Sequence, residues 1–394
     1  MIEKGGVGAI KAAVRPVGAA PATRTLWTVQ ALRGAAALMV VIGHGQSAAA
    51  GIVTAAGGYF ARSTLLPWGA GVDLFFILSG FIMVHASARL FGQRNARAEF
   101  LRRRLVRIVP LYWLVTTLFL ALLAAATMKG GDPFPDAGAI LASYAFFPAD
   151  TYGDERLFPV FDLGWTLNYE MFFYALFALV VVLPRRAALA TVGGLLLALV
   201  GIGTIVPGPS ALWFWTRPII LDFGLGLAVG ALTGRGVTLP PIGRILLAAV
   251  GAAMLFADPF HIFDGAAGVT VANDWPRVLC AGFPIAMLLA AAVLGPEPGM
   301  PRAMLPAALV GDASYSLYLV HPFALILTEK LAQKLVFVRM AQGWQLVGFM
   351  VVVALVLAFA VHRWIERPMT AHLARRVVRG SPSLPRRVAV HSGE

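Results

Sequence analysis

Apolar stretches of about twenty residues, the length that carries an α-helix across a hydrocarbon layer, recur through this chain. Ten can be delimited, at 31–53, 70–88, 108–128, 163–183, 187–206, 217–233, 242–257, 277–294, 305–328 and 344–365. A water-exposed surface does not fit this pattern: charged residues make up 13% of the 394, against about 25% in a soluble domain. The expectation is an all-α integral membrane protein with about ten transmembrane helices and a polar cavity between them. The segment 137–148 is too short to span and is expected to lie in the interface.

A formal net charge of +13 would suggest nucleic acid in a soluble chain, but its distribution gives a different reading. With the N terminus inside, 24 of the 32 Lys and Arg fall on the cytoplasmic side and eight outside, Arg277 among the latter. Of the 19 acids, five fall inside, ten outside and four, Asp73, Glu170, Asp222 and Asp312, within spans. This is a positive-inside pattern with both termini cytoplasmic, and it removes the motive for a nucleic-acid partner. Residues 1–25 read as a cytoplasmic tail, 26–370 as one membrane domain, and 371–394 as a basic tail without apolar periodicity, expected to be disordered. A single cysteine, Cys280, excludes a disulfide within the chain and a cysteine-based zinc site, and no metal is expected.

Ionisable side chains within spans are functional-site hypotheses, because hydrocarbon penalises them. Arg33 and His44 are eleven residues apart on the first span, which puts them within about 20° on one helix face and about 16 Å apart in depth. A mid-membrane imidazole either takes a proton from a hydroxyl, oriented by a carboxylate, or is a packed interior histidine. The second span, GVDLFFILSGF, carries Asp73 near its outer end, as a possible partner or as a helix-end charge favoured by the dipole. Its Ser79-Gly80 pair lets a ligand or a helix come close. Glu170 lies about two turns inside LGWTLNYEMFFY, among Trp165, Tyr169 and Tyr174, and an interfacial aromatic belt does not account for it.

The ninth span, GDASYSLYLVHPF, is too polar to face lipid and is expected to line a cavity, with Tyr315 and His321 as contacts or as hydrogen-bonded interior groups. Before the third span, RRRLVRIVPLYW puts Arg104 and Arg107 on one face, where guanidinium forks grip phosphates or merely anchor to anionic lipid. GLAVG at 226–230 reads as a helix-packing motif. A proton- or ion-coupled transporter would also use intramembrane His and acids, although no inverted repeat is evident.

Taken in order, LRGAAALMVVIGH, GVDLFFILSGF, the Arg-x-x-Arg of Arg104 and Arg107 with IVPLYW, WTLNYEMFFY, GDASYSLYLVHPF and the closing ERP of Glu366 to Pro368 resemble the acyltransferase-3 family of membrane O-acyltransferases. The resemblance covers about 25–370. It implies transfer of an acyl group, usually acetyl, from acyl-CoA to a hydroxyl of an exported carbohydrate or glycolipid, in the bacterial inner membrane and among its lipids. It implies His44 as catalytic base and Arg104 and Arg107 at the donor phosphates; Glu170 or Asp73 is expected to support His44, and Arg33 and Ser79 to join the donor site. Trp165, Tyr315 and His321 are assigned to the acceptor. The fullest members of the family carry an extracytoplasmic domain after the last span, so this chain is expected either to complete the transfer alone or to use a separate acyl-accepting protein.

Overall fold

The computed structural model describes residues 26–260, 262, 274–297, 304–335 and 342–379, and the first 25 residues lie outside it. Among the described residues all regular structure is helical. In chain order the elements are α1 (Trp27–Ala55), α2 (Gly71–Ala86), α3 (Ala96–Thr127), α4 (Ala137–Tyr144), α5 (Gly164–Val180), α6 (Arg185–Gly203), α7 (Ala211–Trp215) and α8 (Leu221–Gly234). There follow α9 (Pro241–Ala257), α10 (Trp275–Arg277), α11 (Phe283–Val293), α12 (Leu305–Asp312), α13 (Ser314–Lys334), α14 (Gly343–Val361) and α15 (Arg367–Arg379).

Each of the ten expected segments falls on helix. Among the described residues six stretches are long and apolar enough to cross a membrane: Trp27–Ala55, Trp68–Ala86, Ala96–Thr127, Arg185–Gly203, Trp275–Val293 and Gly343–Arg375. The pair α12 and α13 makes a seventh if counted as one bent span. The other three of the ten, α5, α8 and α9, are shorter at 17, 14 and 17 residues. The short segment after the third span forms α4, whose first turn is capped by Asp136 accepting from the Ala139 amide at 2.8 Å.

Close backbone contact sets the helix spacing at the centre. A Cβ at Gly80 of α2 would run into the Phe223 carbonyl of α8, and one at Gly226 of α8 would run into the Ile77 carbonyl of α2. The packing role expected for the 226–230 motif is thus met, with α2 as the partner. Around this seam Phe76, Phe173 and Phe223 stack, at centroid separations of 4.6 Å for Phe76 and 4.4 Å for Phe173 from Phe223.

Two expectations are corrected. The ninth segment is not one continuous helix: α12 and α13 meet at 78°. Gly34 and Gly311 let α12 lie backbone to backbone on α1, where a Cβ at Gly34 would stand 2.6 Å from the Ala307 carbonyl. That seat fixes α12 at an angle the polar α13 does not follow, and Asp312 at the junction accepts from Gln30 Nε2 at 2.5 Å. The C-terminal tail also differs, because helix continues to Arg379. The helix runs on from α14 through a π-helical turn at His362–Glu366, just before Pro368, where the looser turn accommodates the missing amide proton. Met369 packs against the main apolar core. Residues 380–394 lie outside the described set.

The α2–α8 seam predicts a sharp size dependence. Gly226→Leu should overpack it and lower the melting temperature of the detergent-purified protein, whereas Gly193→Leu on α6, where a Cβ meets nothing within 4 Å, should leave it unchanged. Equal melting of the two variants would contradict the close approach.

Candidate active site

The basic run at the start of α3 is sorted by one carboxylate. Glu99, in the first turn, pairs with Arg102 and with Arg103, the latter at 2.6 Å. Arg104 instead turns inward and is buried, its guanidinium 5.9 Å from the Phe100 ring centroid and 5.7 Å from that of Tyr174. Arg107, three residues on, shares that face. Arg33 arrives from α1, held by Gln30 Oε1 at 2.9 Å. Among the described residues no carboxylate forms an ion pair with Arg33, Arg104 or Arg107.

These three arginines line a cavity of about 90 Å³ among α1, α2, α3, α5 and α13, together with Ser79, Glu170 and Tyr315. Glu170 accepts from Ser79 Oγ at 2.7 Å and from the Tyr174 hydroxyl, and its charge acts on both Arg33 and Arg104. Tyr315 donates to the Ile108 carbonyl at 2.7 Å, which ties α13 to α3. The polar ninth segment therefore lines a cavity, as its composition requires. Six of the ten residues named from the sequence meet here: Arg33, Ser79, Arg104, Arg107, Glu170 and Tyr315.

The two histidines form a second centre. His44 Nδ1 and His321 Nε2 are 2.9 Å apart, with ring centroids at 5.2 Å. His321 is fully buried and His44 partly so. Tyr318 joins the centres: its ring lines the cavity and stands 6.2 Å from the His321 ring. Its hydroxyl is fixed by Thr166 Oγ1 at 2.8 Å and by the Leu163 carbonyl at 3.1 Å.

The remaining named residues have other partners. Neither carboxylate expected to orient His44 bonds to it. Glu170 is committed to Ser79 and Tyr174, and Asp73 to Arg277, which donates to its two oxygens at 2.8 and 2.7 Å. Arg277, counted above as an outer-side charge, is 1% exposed, and Asp222 is buried beside the pair. Desolvation explains the arrangement, since a carboxylate at the end of α2 with no water must find a cation. Trp165 packs against Phe76 and Tyr169 in the core and does not border the cavity, which its neighbour Thr166 does.

Sequence reasoning left Tyr318 and Thr166 without a role. It also missed a link below the arginines, where Glu366 accepts from Ser316 Oγ at 2.6 Å and lies 2.8 Å from His362 Nδ1. The four-residue spacing of His362 and Glu366 was the available signal. Among the described residues no three His, Cys, Asp or Glu side chains come together as a metal site needs.

Comparison with known proteins sets this geometry in context. The acyltransferase-3 family description, "Acyltransferase domain", matches residues 27–363. The chain belongs to the acyltransferase-3 family. It is thus an acyltransferase and an integral membrane protein, which sets aside the transporter reading. The Exopolysaccharide production protein ExoZ of Rhizobium meliloti (strain 1021) is 36% identical over 319 residues, covering 79% of this chain and 92% of that protein. Protein 2 in picA locus of Rhizobium radiobacter is 31% identical over 130 residues, 30% of this chain and 62% of that protein. No solved structure matches the chain.

The Asp73–Arg277 pair generates a prediction that separates structure from chemistry. Removing one partner of a buried ion pair typically destabilises by about 3–5 kcal/mol. Asp73→Asn should therefore lower abundance and melting temperature in detergent, while the protein that does fold keeps its donor KM. A variant that melts normally but is inactive would instead place Asp73 in the reaction.

Proposed function

We propose that this protein moves an acyl group, acetyl, from acyl-CoA to a hydroxyl of an exopolysaccharide carbohydrate, with His44 as general base. One observation carries this reading: three arginines that form no ion pair among the described residues share a cavity with Tyr318, whose ring stands 6.2 Å from that of His321. Guanidinium forks suit phosphate oxygens, and acyl-CoA brings phosphates at one end and a thioester at the other. The donor enters from the cytoplasmic side, where the positive-inside pattern puts Arg104 and Arg107. The carbohydrate acceptor follows the exopolysaccharide role in the name of the Rhizobium meliloti relative. About ten spans with both termini cytoplasmic, in a bacterial inner membrane, complete the reading.

In the reaction His44 takes the proton of the acceptor hydroxyl as its oxygen attacks the thioester carbonyl. The carbon–sulfur bond breaks, the CoA thiolate leaves, and the imidazolium returns the proton to it. Arg33, Arg104 and Arg107 hold the donor. Glu170 restrains Ser79 and Tyr174 and offsets part of the arginine charge when the donor is absent.

Two outcomes test this. His44→Ala should lower transfer of radiolabelled acetyl from acetyl-CoA to polysaccharide by about 10²–10⁴-fold at normal protein abundance. Retained transfer would end the base assignment. Arg104→Ala with Arg107→Ala should raise the KM for acetyl-CoA by about tenfold or more, since each charged hydrogen bond is worth about 1.5–3 kcal/mol. An unchanged KM would assign the pair to lipid headgroups.

A further inference from the structure

We infer that His321 is a positioning residue that fixes the tautomer and aim of His44, filling the place a carboxylate holds in a familiar catalytic triad. The inference rests on the reading of His44 as base and follows from a three-membered hydrogen-bond chain. His321 Nδ1 lies 3.2 Å from the carbonyl oxygen of Leu317, one turn earlier on α13. A carbonyl only accepts, so Nδ1 of His321 carries the proton. In a neutral imidazole the other nitrogen is then a bare acceptor. That nitrogen, Nε2, is 2.9 Å from Nδ1 of His44, so His44 must donate from Nδ1. Its own Nε2 is left with an open lone pair, the form a general base needs.

The surroundings agree with this assignment. Among the described residues His44 makes no hydrogen bond or ion pair to a carboxylate; Glu170 and Asp73 are held elsewhere. His321 is fully buried, and both its ring nitrogens are used, one by Leu317 and one by His44. It therefore has no free polar atom for an acceptor sugar, which moves it from substrate contact to support. His44 is partly exposed, so its unoccupied edge can receive a hydroxyl. When His44 takes the proton, its Nδ1–H bond to His321 shortens the list of orientations the imidazolium can adopt. The same bond returns it to the productive tautomer after the proton passes to the leaving thiolate.

The test uses the full-length protein in membranes, with acetyl-CoA as donor and chemically deacetylated exopolysaccharide as acceptor. His321→Ala removes the acceptor for His44 Nδ1–H and should lower kcat by about 10²-fold with both KM values near wild type, as loss of an orienting partner does. His321→Gln puts an amide oxygen close to where Nε2 stood and should recover at least a tenth of wild-type kcat. If His321→Ala fails to accumulate, His321→Gln decides: a tenth or more of wild-type kcat supports the inference, and a kcat as low as that of His44→Ala overturns it. A raised acceptor KM with unchanged kcat in His321→Ala would make His321 a substrate contact and overturn it as well. His44→Ala run alongside keeps the two readings apart. If it stays active, the base assignment fails; if it is dead while His321→Ala keeps full kcat, this inference alone fails.

Discussion

A charged or polar group inside hydrocarbon has to find its partners within the protein, because lipid offers none. That constraint organises the molecule more than apolar burial does, since lipid tails solvate leucine as well as a neighbouring helix would. Three of the four intramembrane acids are placed in this way, while Asp222 lies buried beside the Asp73–Arg277 pair without a hydrogen bond of its own among the described residues. Asp73 meets Arg277, Glu170 meets Ser79 and Tyr174, and Asp312 meets Gln30. The helices pack in the order that makes these meetings possible. Glycines at Gly80, Gly226, Gly34 and Gly311 remove the side chains that would hold the backbones apart.

What could be read from the sequence was what a single helix determines. The eleven-residue step between Arg33 and His44 fixes a common face, and the three-residue step between Arg104 and Arg107 another; both are local geometry. The polarity of 311–323 forces it inward regardless of its partners. Pairings across the chain are a different matter. His44 and His321 are 277 residues apart, and Asp73 and Arg277 are 204 apart. Periodicity says which way each points but not which helix stands opposite. The two carboxylates were credited to His44 because a histidine commonly has an acidic partner, whereas the fold supplied a second histidine. Arg277 was misread for the same reason: at the edge of an apolar segment it looks like a flanking charge until Asp73 is seen across from it.

The bend between α12 and α13 was likewise outside the reach of composition, since the residues on either side are compatible with one span. It arises because α12 is held against α1 by two glycines while α13 must turn its Ser314, Tyr315 and Tyr318 face to the cavity. A straight helix could satisfy one demand and not both. The break thus lets one segment brace the N-terminal end of α1 near Arg33 and present Tyr318 and His321 farther along α1, near His44.

This geometry sets a condition on the donor. Arg33 and His44 lie on one face of α1 but about 16 Å apart along it, by the rise of eleven helical residues. A compact acyl phosphate whose charge sat on the arginines would leave its carbonyl far short of the histidine pair. A donor that satisfies both centres at once must carry its phosphates and its reactive carbon at opposite ends of a slender, extended arm. The arm must also pass Tyr318, whose hydroxyl is pinned by Thr166 and the Leu163 carbonyl and whose ring is therefore a fixed wall. Separation of charge recognition from chemistry by one ordered aromatic ring suits a long, narrow donor, which is the shape of the coenzyme thioester in the function proposed above.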